Sequence, residues 1–402
     1  MVATTLGSLS RESDCATSSS DAIFGWHRVI SNASRVGCKS DILPAMVART
    51  KWSPLLAAAS ALTLAMAIGA CGAVLGDVPE GQLREDAGPL DSGIADAADG
   101  AVAAEEICFV PNADILDLAV DATYLYWLRA PPSGGKEFAV ESCSKNGGGV
   151  QLLFSLQSKP EALALSDKYV FWTINVGGYP FEGTWRVSKQ GGEPLPTRPL
   201  VGIGGAGPVA IANDNLVTGT HGGVISINSP DTGEVRNAPQ GLGNVTSLAA
   251  SGTTLFYTNE TDGKIMKAVI GSQSAAESFE AASAEKPSLL YFDSDTLHWA
   301  VTTSNGTTIR SKCNGDDCET RNILVQRGDF QAFAVRNGAM YWTVNEGNTG
   351  AVYRCSDMSS CQGQSASLWK GNAQVSRIAV DDSHIYAAAR RDTGGCIVKA
   401  AR

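Results

Sequence analysis

The chain has 402 residues, 44% of them hydrophobic and 18% charged, and carries a formal net charge of −10. That apolar content is enough for a large core, while the mildly acidic balance excludes the basic footprint of a nucleic-acid-binding protein. The acid excess is local, because nine acidic residues and a single basic one, Arg84, lie between Asp77 and Glu106.

Residues 1–45 are polar, Ser-rich and aperiodic, and read as a disordered or spurious extension before a start at Met46. Residues 46–70 read as a secretory signal. Arg49 and Lys51 form its basic end, and Leu55 to Ala67 its apolar run, too short for the roughly 20 residues of a spanning helix. Ile68-Gly69-Ala70-Cys71 resembles the lipobox of bacterial lipoproteins, which implies cleavage before Cys71 and its acylation. Residues 71–105 are Ala, Asp, Gly and Pro with few large apolar side chains, as expected of an acidic disordered tether. Their Asp residues lack the EF-hand order, so no calcium site is assigned.

From residue 106 to 402 the chain repeats. Ala334 to Thr343 reads as strand, Asn337-Gly338 hairpin turn, strand. Taking a strand-end residue and an aromatic anchor seven positions later, the copies are Val120/Trp127, Leu165/Trp172, Ile211/Thr218, Ala250/Tyr257, Phe292/Trp299, Val335/Trp342 and Val380/Ala387. A period of about 40–45 residues, rich in β-branched and aromatic residues, predicts an all-β fold, a seven-bladed β-propeller of four-stranded blades. Six and eight blades remain the neighbouring counts. The first strand of each copy reads apolar, small, apolar, as in Leu118-Ala119-Val120, which suits the crowded axis.

The last copy ends three residues after Lys399, too early for a fourth strand, so the N-terminal strand Glu106 to Val110 is expected to close the ring. Two short disulfides, Cys313–Cys318 and Cys355–Cys361, are expected at equivalent places in adjacent blades, and they place the ring in an oxidising compartment. By the same pattern Cys396 is expected to bond Cys108. Cys143 is then left as a buried thiol or a cysteine pairing out of pattern.

Tyr341-Trp342-Thr343, Phe171-Trp172-Thr173, Phe256-Tyr257-Thr258, Tyr126-Trp127 and His298-Trp299 resemble the YWTD-type propeller repeats of the low-density lipoprotein receptor group. They are also similar to repeats of bacterial envelope lipoproteins of unknown function. Val344, Ile174 and Asn259 stand where the repeat's Asp would follow. The resemblance implies the fold and a general expectation of protein or glycan binding.

Chemistry is sparse. No catalytic constellation, metal-ligand set or cofactor motif is assigned. Gly202 to Gly207 has the letters of a dinucleotide fingerprint, but Pro208 and a strand follow it rather than a helix, so it reads as a glycine-rich connection. His298 fills an aromatic slot and is expected in the core, and His384 lies in a turn. His221, in a loop on one face, joins Tyr179 and Phe181 of a long connection as the candidate binding loop. The expectation is a monomeric, lipid-anchored propeller of the outer membrane or cell surface that binds an envelope protein or glycan and touches the membrane only through its lipid. Two alternatives are kept: a propeller-type lactonase or lyase, for which the strand entrances offer Asp114, Glu161, Asn244 and Gln331, and an outer-membrane assembly scaffold.

Overall fold

The computed structural model describes residues 104–131, 135–175, 183–198, 205–233, 235–236, 243–272, 274–280, 286–315, 317–362 and 364–402. Residues 1–45, the signal segment, Cys71, the acidic tether as far as residue 103, Gly202 to Gly204, and Tyr179 and Phe181 lie outside them.

The described chain is all β, in seven four-stranded antiparallel sheets. Strand β1 (Glu105–Pro111) comes first and belongs to the last sheet. Blade 1 is β2 (Asp114–Val120), β3 (Tyr124–Ala130), β4 (Phe138–Ser144) and β5 (Gln151–Leu156). Blade 2 is β6 (Pro160–Leu165), β7 (Tyr169–Ile174), β8 (Gly183–Ser188) and β9 (Leu195–Arg198). Blade 3 is β10 (Ala206–Ala212), β11 (Asn215–Thr220), β12 (Ile225–Asn228) and β13 (Val235–Arg236). Blade 4 is β14 (Leu248–Ser251), β15 (Thr254–Asn259), β16 (Lys264–Val269) and β17 (Glu277–Glu280). Blade 5 is β18 (Pro287–Asp293), β19 (Thr296–Thr303), β20 (Gly306–Cys313) and β21 (Arg321–Gln326). Blade 6 is β22 (Asp329–Arg336), β23 (Ala339–Glu346), β24 (Thr349–Cys355) and β25 (Ala366–Gly371). Blade 7 is β26 (Gln374–Val380), β27 (His384–Arg391) and β28 (Gly394–Ala401), completed by β1, which pairs antiparallel with β28. The expected closure by an N-terminal strand is therefore present.

First strands of successive blades touch all the way round, from β2 and β6 to β26 and β2. The Asn337-Gly338 turn has both central residues at positive φ, 50° and 75°, the hairpin geometry that matches strand twist. The core lies between blades. Each of the seven junctions holds its own buried cluster, for example Trp127 and Leu125 with Tyr386 and Ile397 between blades 1 and 7, and Tyr257 and Leu255 with Val217 and Ile225 between blades 3 and 4.

Cys313–Cys318 and Cys355–Cys361 are bonded, but the pairing expected for Cys396 is not. Cys108 bonds Cys143 of blade 1, and Cys396 is a buried free thiol. The reason is a bulge. The β1–β28 register runs Ile107 opposite Ile397, then Val110 opposite Gly395, so two residues of β1 face one of β28. With Cys108 at φ 54° its side chain stays on the blade 1 side with Ile107, while Cys396 lies on the blade 6 side with Ala389 and Val398. The bond ties β1 to β4 across the junction of blades 7 and 1, closing a 35-residue separation for about 4 kcal/mol in the chain-entropy account.

His298 is buried as expected, yet neither ring nitrogen has a hydrogen-bond partner, and burial lowers its pKa to about 4. Tyr126 and Tyr386, in the same slot of blades 1 and 7, each donate to an Asp five residues earlier, Asp121 and Asp381. Asp293 is the equivalent in blade 5, but it accepts instead from the Asn337 and Gly338 amides, and the shorter imidazole does not bond it. His298→Tyr should therefore raise stability by about 1–2 kcal/mol. Because the native ring stays neutral while the unfolded one takes a proton, stability falls as pH drops from 6.5 towards 4, and the variant should lose that slope in thermal melts. A lower melting temperature for the variant, or an unchanged slope, contradicts this account.

Candidate functional site

In an antiparallel four-stranded blade, the turns after the first and third strands lie on one face of the ring. The loops after the second and fourth lie on the other. The loop face carries the candidate site.

First strands converge on the axis, and in six of the seven the ladder to the second strand slips by one residue near the loop face. These bulges fall between Ile115 and Asp117, Pro160 and Leu163, Ala206 and Val209, Ser288 and Tyr291, Phe330 and Ala332, and Val375 and Arg377. Glu161 lies within the bulge of β6. His221 follows β11, Asn244 precedes β14 and Glu260 follows β15, so three segments of blades 3 and 4 line up with Glu161 of blade 2.

The resulting contacts form one chain. Asn175 Nδ2 donates to Glu161 Oε1 at 3.0 Å, and His221 Nε2 lies 3.1 Å from Glu161 Oε2. His221 Nδ1 lies 3.0 Å from Asn244 Oδ1, Asn244 Nδ2 donates to Glu260 Oε2, and Lys286 Nζ reaches Glu260 Oε1 at 3.0 Å. The Asn244 donation to Glu260 turns its oxygen to His221, so both imidazole nitrogens face acceptors. A ring carrying two N–H groups donates to both. Glycines make the close approach feasible: a Cβ on Gly205 would land on the Asn175 side chain, and His221 Cε1 packs over Gly207. That is the role of the described part of the Gly202–Gly207 connection.

The arc follows a rule visible in other junctions. The residue three beyond the anchor position meets the start of the next blade's first strand. Arg390 Nε pairs with Asp114 at 2.9 Å, and Asn345 brackets Val375, accepting from its N–H at 2.8 Å and donating to its C=O at 2.9 Å. His221–Asn244 and Glu260–Lys286 are the same latch in blades 3 and 4. What distinguishes the arc is continuity across blades 2 to 5 and access, since the His221 and Glu161 side chains are 36% and 32% exposed.

Of the residues singled out in the sequence, His221, Glu161 and Asn244 come together, whereas Asp114 pairs with Arg390 and the half-buried Gln331 donates to Asp329 O. Tyr179 and Phe181 lie outside the described residues, but the ends of their connection, Asn175 and Gly183, are on this face, and Asn175 bonds Glu161. His384 sits on the other face, with Nδ1 2.8 Å from Ser383 Oγ. Among the described residues no group of three or more His, Cys, Asp and Glu is placed to hold a metal ion. Sequence reading missed Glu260, Lys286 and Asn175; aligning the repeats at the position three beyond the anchor finds Asn175 and Glu260 together with His221. A second opening on the loop face, a cleft of about 650 Å³ between blades 6 and 7, is lined by Asn348, Asn372, Gln374, Arg390, Arg391 and Asp392 among others.

The chain matches no protein-family model and no curated protein. Solved structures do match. A catalytically inactive variant of virginiamycin B lyase from Staphylococcus aureus with quinupristin is 14% identical with a TM-score of 0.56, over 74% of this chain and 99% of that one. The RRP9 WD40 repeats are 12% identical with a TM-score of 0.56, over 75% and 99%. The β-propeller domain of the Trilobed protease from Pyrococcus furiosus, described as having an open velcro topology, is 12% identical with a TM-score of 0.54, over 72% and 95%. At these identities the likeness establishes the propeller fold.

The opposite, turn face is stapled by lysines. Lys145 pairs with Asp381 of blade 7, and Lys189 with Asp121 of blade 1 at 2.8 Å while lying over the Tyr126 ring. Burial alone would raise both carboxyl pKa values, but the lysines and turn amides outweigh it and lower them. A lowered acid contributes its full stability above the ordinary carboxylate range and loses it as pH falls from there through its lowered native value. Lys145→Met and Lys189→Met should each cost about 1–3 kcal/mol at neutral pH and less near pH 2, well below the ordinary carboxylate range, measured by urea titration. Equal losses at both pH values would show that the lysine stems, not the charges, matter.

Proposed function

We propose that the chain is a lipid-anchored cell-envelope binding module that engages a protein or glycan through the loop face of its propeller. The observation that carries this reading is the accessible polar arc from Asn175 to Lys286, rigidly hydrogen-bonded and adjoining the connection that bears Tyr179 and Phe181. Groups already held in place lose little entropy on binding, and aromatic residues on neighbouring loops supply anchors. Three disulfides in the ring support an oxidising compartment, and the Ile68 to Cys71 segment supports the anchor. A catalytic reading, lyase or lactonase, is favoured by one observation, the carboxylate–imidazole contact of Glu161 and His221 on an accessible face.

Two measurements test the proposal. Intact-mass analysis of the mature N-terminus should find an acylated Cys71; another N-terminus or an unmodified cysteine removes the anchor. The full chain, presented to an envelope glycan array and to envelope extract, should retain a ligand whose affinity falls at least tenfold in Tyr179→Ala/Phe181→Ala and in His221→Ala. Binding that survives these changes overturns the loop-face assignment, and turnover abolished by Glu161→Gln would favour the catalytic reading.

A further inference from the structure

Three cysteines at the ring seam are arranged around one contested residue. In blades 5 and 6 the cysteine ending the third strand bonds one shortly before the fourth, Cys313 with Cys318 and Cys355 with Cys361. In blade 7 the third strand is β28, with Cys396, and the fourth is β1, with Cys108. In blade 1 the third strand is β4, with Cys143, and its own fourth strand has no cysteine. Two third-strand cysteines therefore have a claim on Cys108. Cys143 holds it, and Cys396 is the free cysteine among the described residues, 2% exposed.

One bulge separates the two pairings. Ile107 lies opposite Ile397, and both face blade 1. Continuing that register by one residue puts Cys108 opposite Cys396 and moves the bulge to Phe109 and Val110. In a regular strand the residue after Ile107 points to the other face, where Cys396 lies. Directly opposed residues have Cα atoms about 4.5–5.5 Å apart, within the roughly 4.4–6.8 Å that a disulfide spans. Cys108 also leaves the left-handed region, φ 54°, for ordinary strand geometry.

The surroundings confine the slip to this point. Beyond the bulge β1 is fixed, because Asn112 N donates to Thr393 O at 3.0 Å and a Cβ on Gly394 would strike the Val110 carbonyl oxygen. Before it, β1 is a solvent edge tied by the Glu105–Lys399 and Glu106–Arg391 pairs, with both glutamates exposed.

We propose that the seam carries a thiol–disulfide exchange in which Cys108 alternates between Cys143 and Cys396. The Cys396 thiolate attacks Cys108 Sγ, the Cys108–Cys143 bond breaks, and Cys143 leaves as a thiolate that takes up the proton Cys396 released. No oxidant or reductant is consumed. Burial pushes the Cys396 thiol up, so exchange follows local opening of the β1 edge. One isomer staples blade 7 to blade 1. The other joins β1 to β28, where the chain is discontinuous, and closes the ring covalently at the point that the first isomer leaves to hydrogen bonds, ion pairs and packing.

The test uses the full chain, alkylated and mapped without reduction. In Cys143→Ser, the Cys108–Cys396 peptide should account for more than half of the folded chain, with a cooperative melt retained. Alkylation of both Cys108 and Cys396 in that folded variant overturns the proposal. Should the variant not fold, wild type held at pH 8 in sub-denaturing urea decides: a growing Cys108–Cys396 peptide matched by alkylated Cys143 supports exchange, and Cys108–Cys143 as the sole seam disulfide at equilibrium overturns it. Cys396→Ser should expose no Cys143 thiol under the same conditions; exposure at the wild-type rate also overturns it.

Discussion

The pairing of β1 with β28 is the constraint on which the ring depends. Each blade buries its apolar faces only against neighbours, so the core is seven junctions in series. A ring open between blades 7 and 1 would expose Trp127 and Leu125 on one side and Tyr386 and Ile397 on the other, and would leave β28 an unpaired edge. Closure by β1, the first strand of the ring, pairs that edge. The Cys108–Cys143 bond ties β1 to blade 1, while backbone hydrogen bonds, ion pairs and packing hold β1 to β28, where the chain itself is discontinuous.

The junctions are not alike. Most are held by stacked aliphatic and aromatic residues, but the one between blades 2 and 3 has a small cluster, Ala164 and Phe171 with Val209 and Leu216. Its anchor position is Thr218, where five other blades have Trp or Tyr and blade 7 has Ala387. Hydroxyls compensate there: Thr184 Oγ1 meets Thr218 Oγ1 at 3.0 Å, and Thr173 Oγ1 donates to Gly207 O at 2.7 Å. The Glu161–His221 contact crosses the same junction on the loop face, and Arg186 stacks over Tyr169 at 4.8 Å within it. Polar interactions thus carry a larger share of cohesion where the accessible arc lies.

Much of the ring was legible because its period repeats the same physical demands: a small residue near the axis, a turn, and an aromatic anchor. Val335/Trp342 and its six copies locate all seven second strands, and the missing strand after Lys399 points to β1. Cys108 was assigned to the wrong partner because a bulge, which inserts one residue and keeps a side chain on the same face, leaves no periodic trace in a seven-residue strand. Glu161 and His221 are 60 residues apart and share no local pattern. Their meeting follows from the ring, since a second-to-third loop and a neighbouring first-strand entrance share a face, but which polar residues occupy those places is specific to this chain.

Whether the arc is more than a latch can be argued from what a latch requires. Joining two blades takes one donor and one acceptor, and the junctions at Arg390–Asp114 and Asn345–Val375 use such a minimal set. The arc uses two carboxylates, an imidazole, two amides and an ammonium across four blades, more groups than the junctions need. A purely structural network of that size would gain from burial, where its hydrogen bonds strengthen. Here the imidazole and one carboxylate stay about a third exposed, which weakens each bond as cohesion but leaves lone pairs and N–H groups available to a ligand. That excess is what the proposed recognition at the loop face rests on.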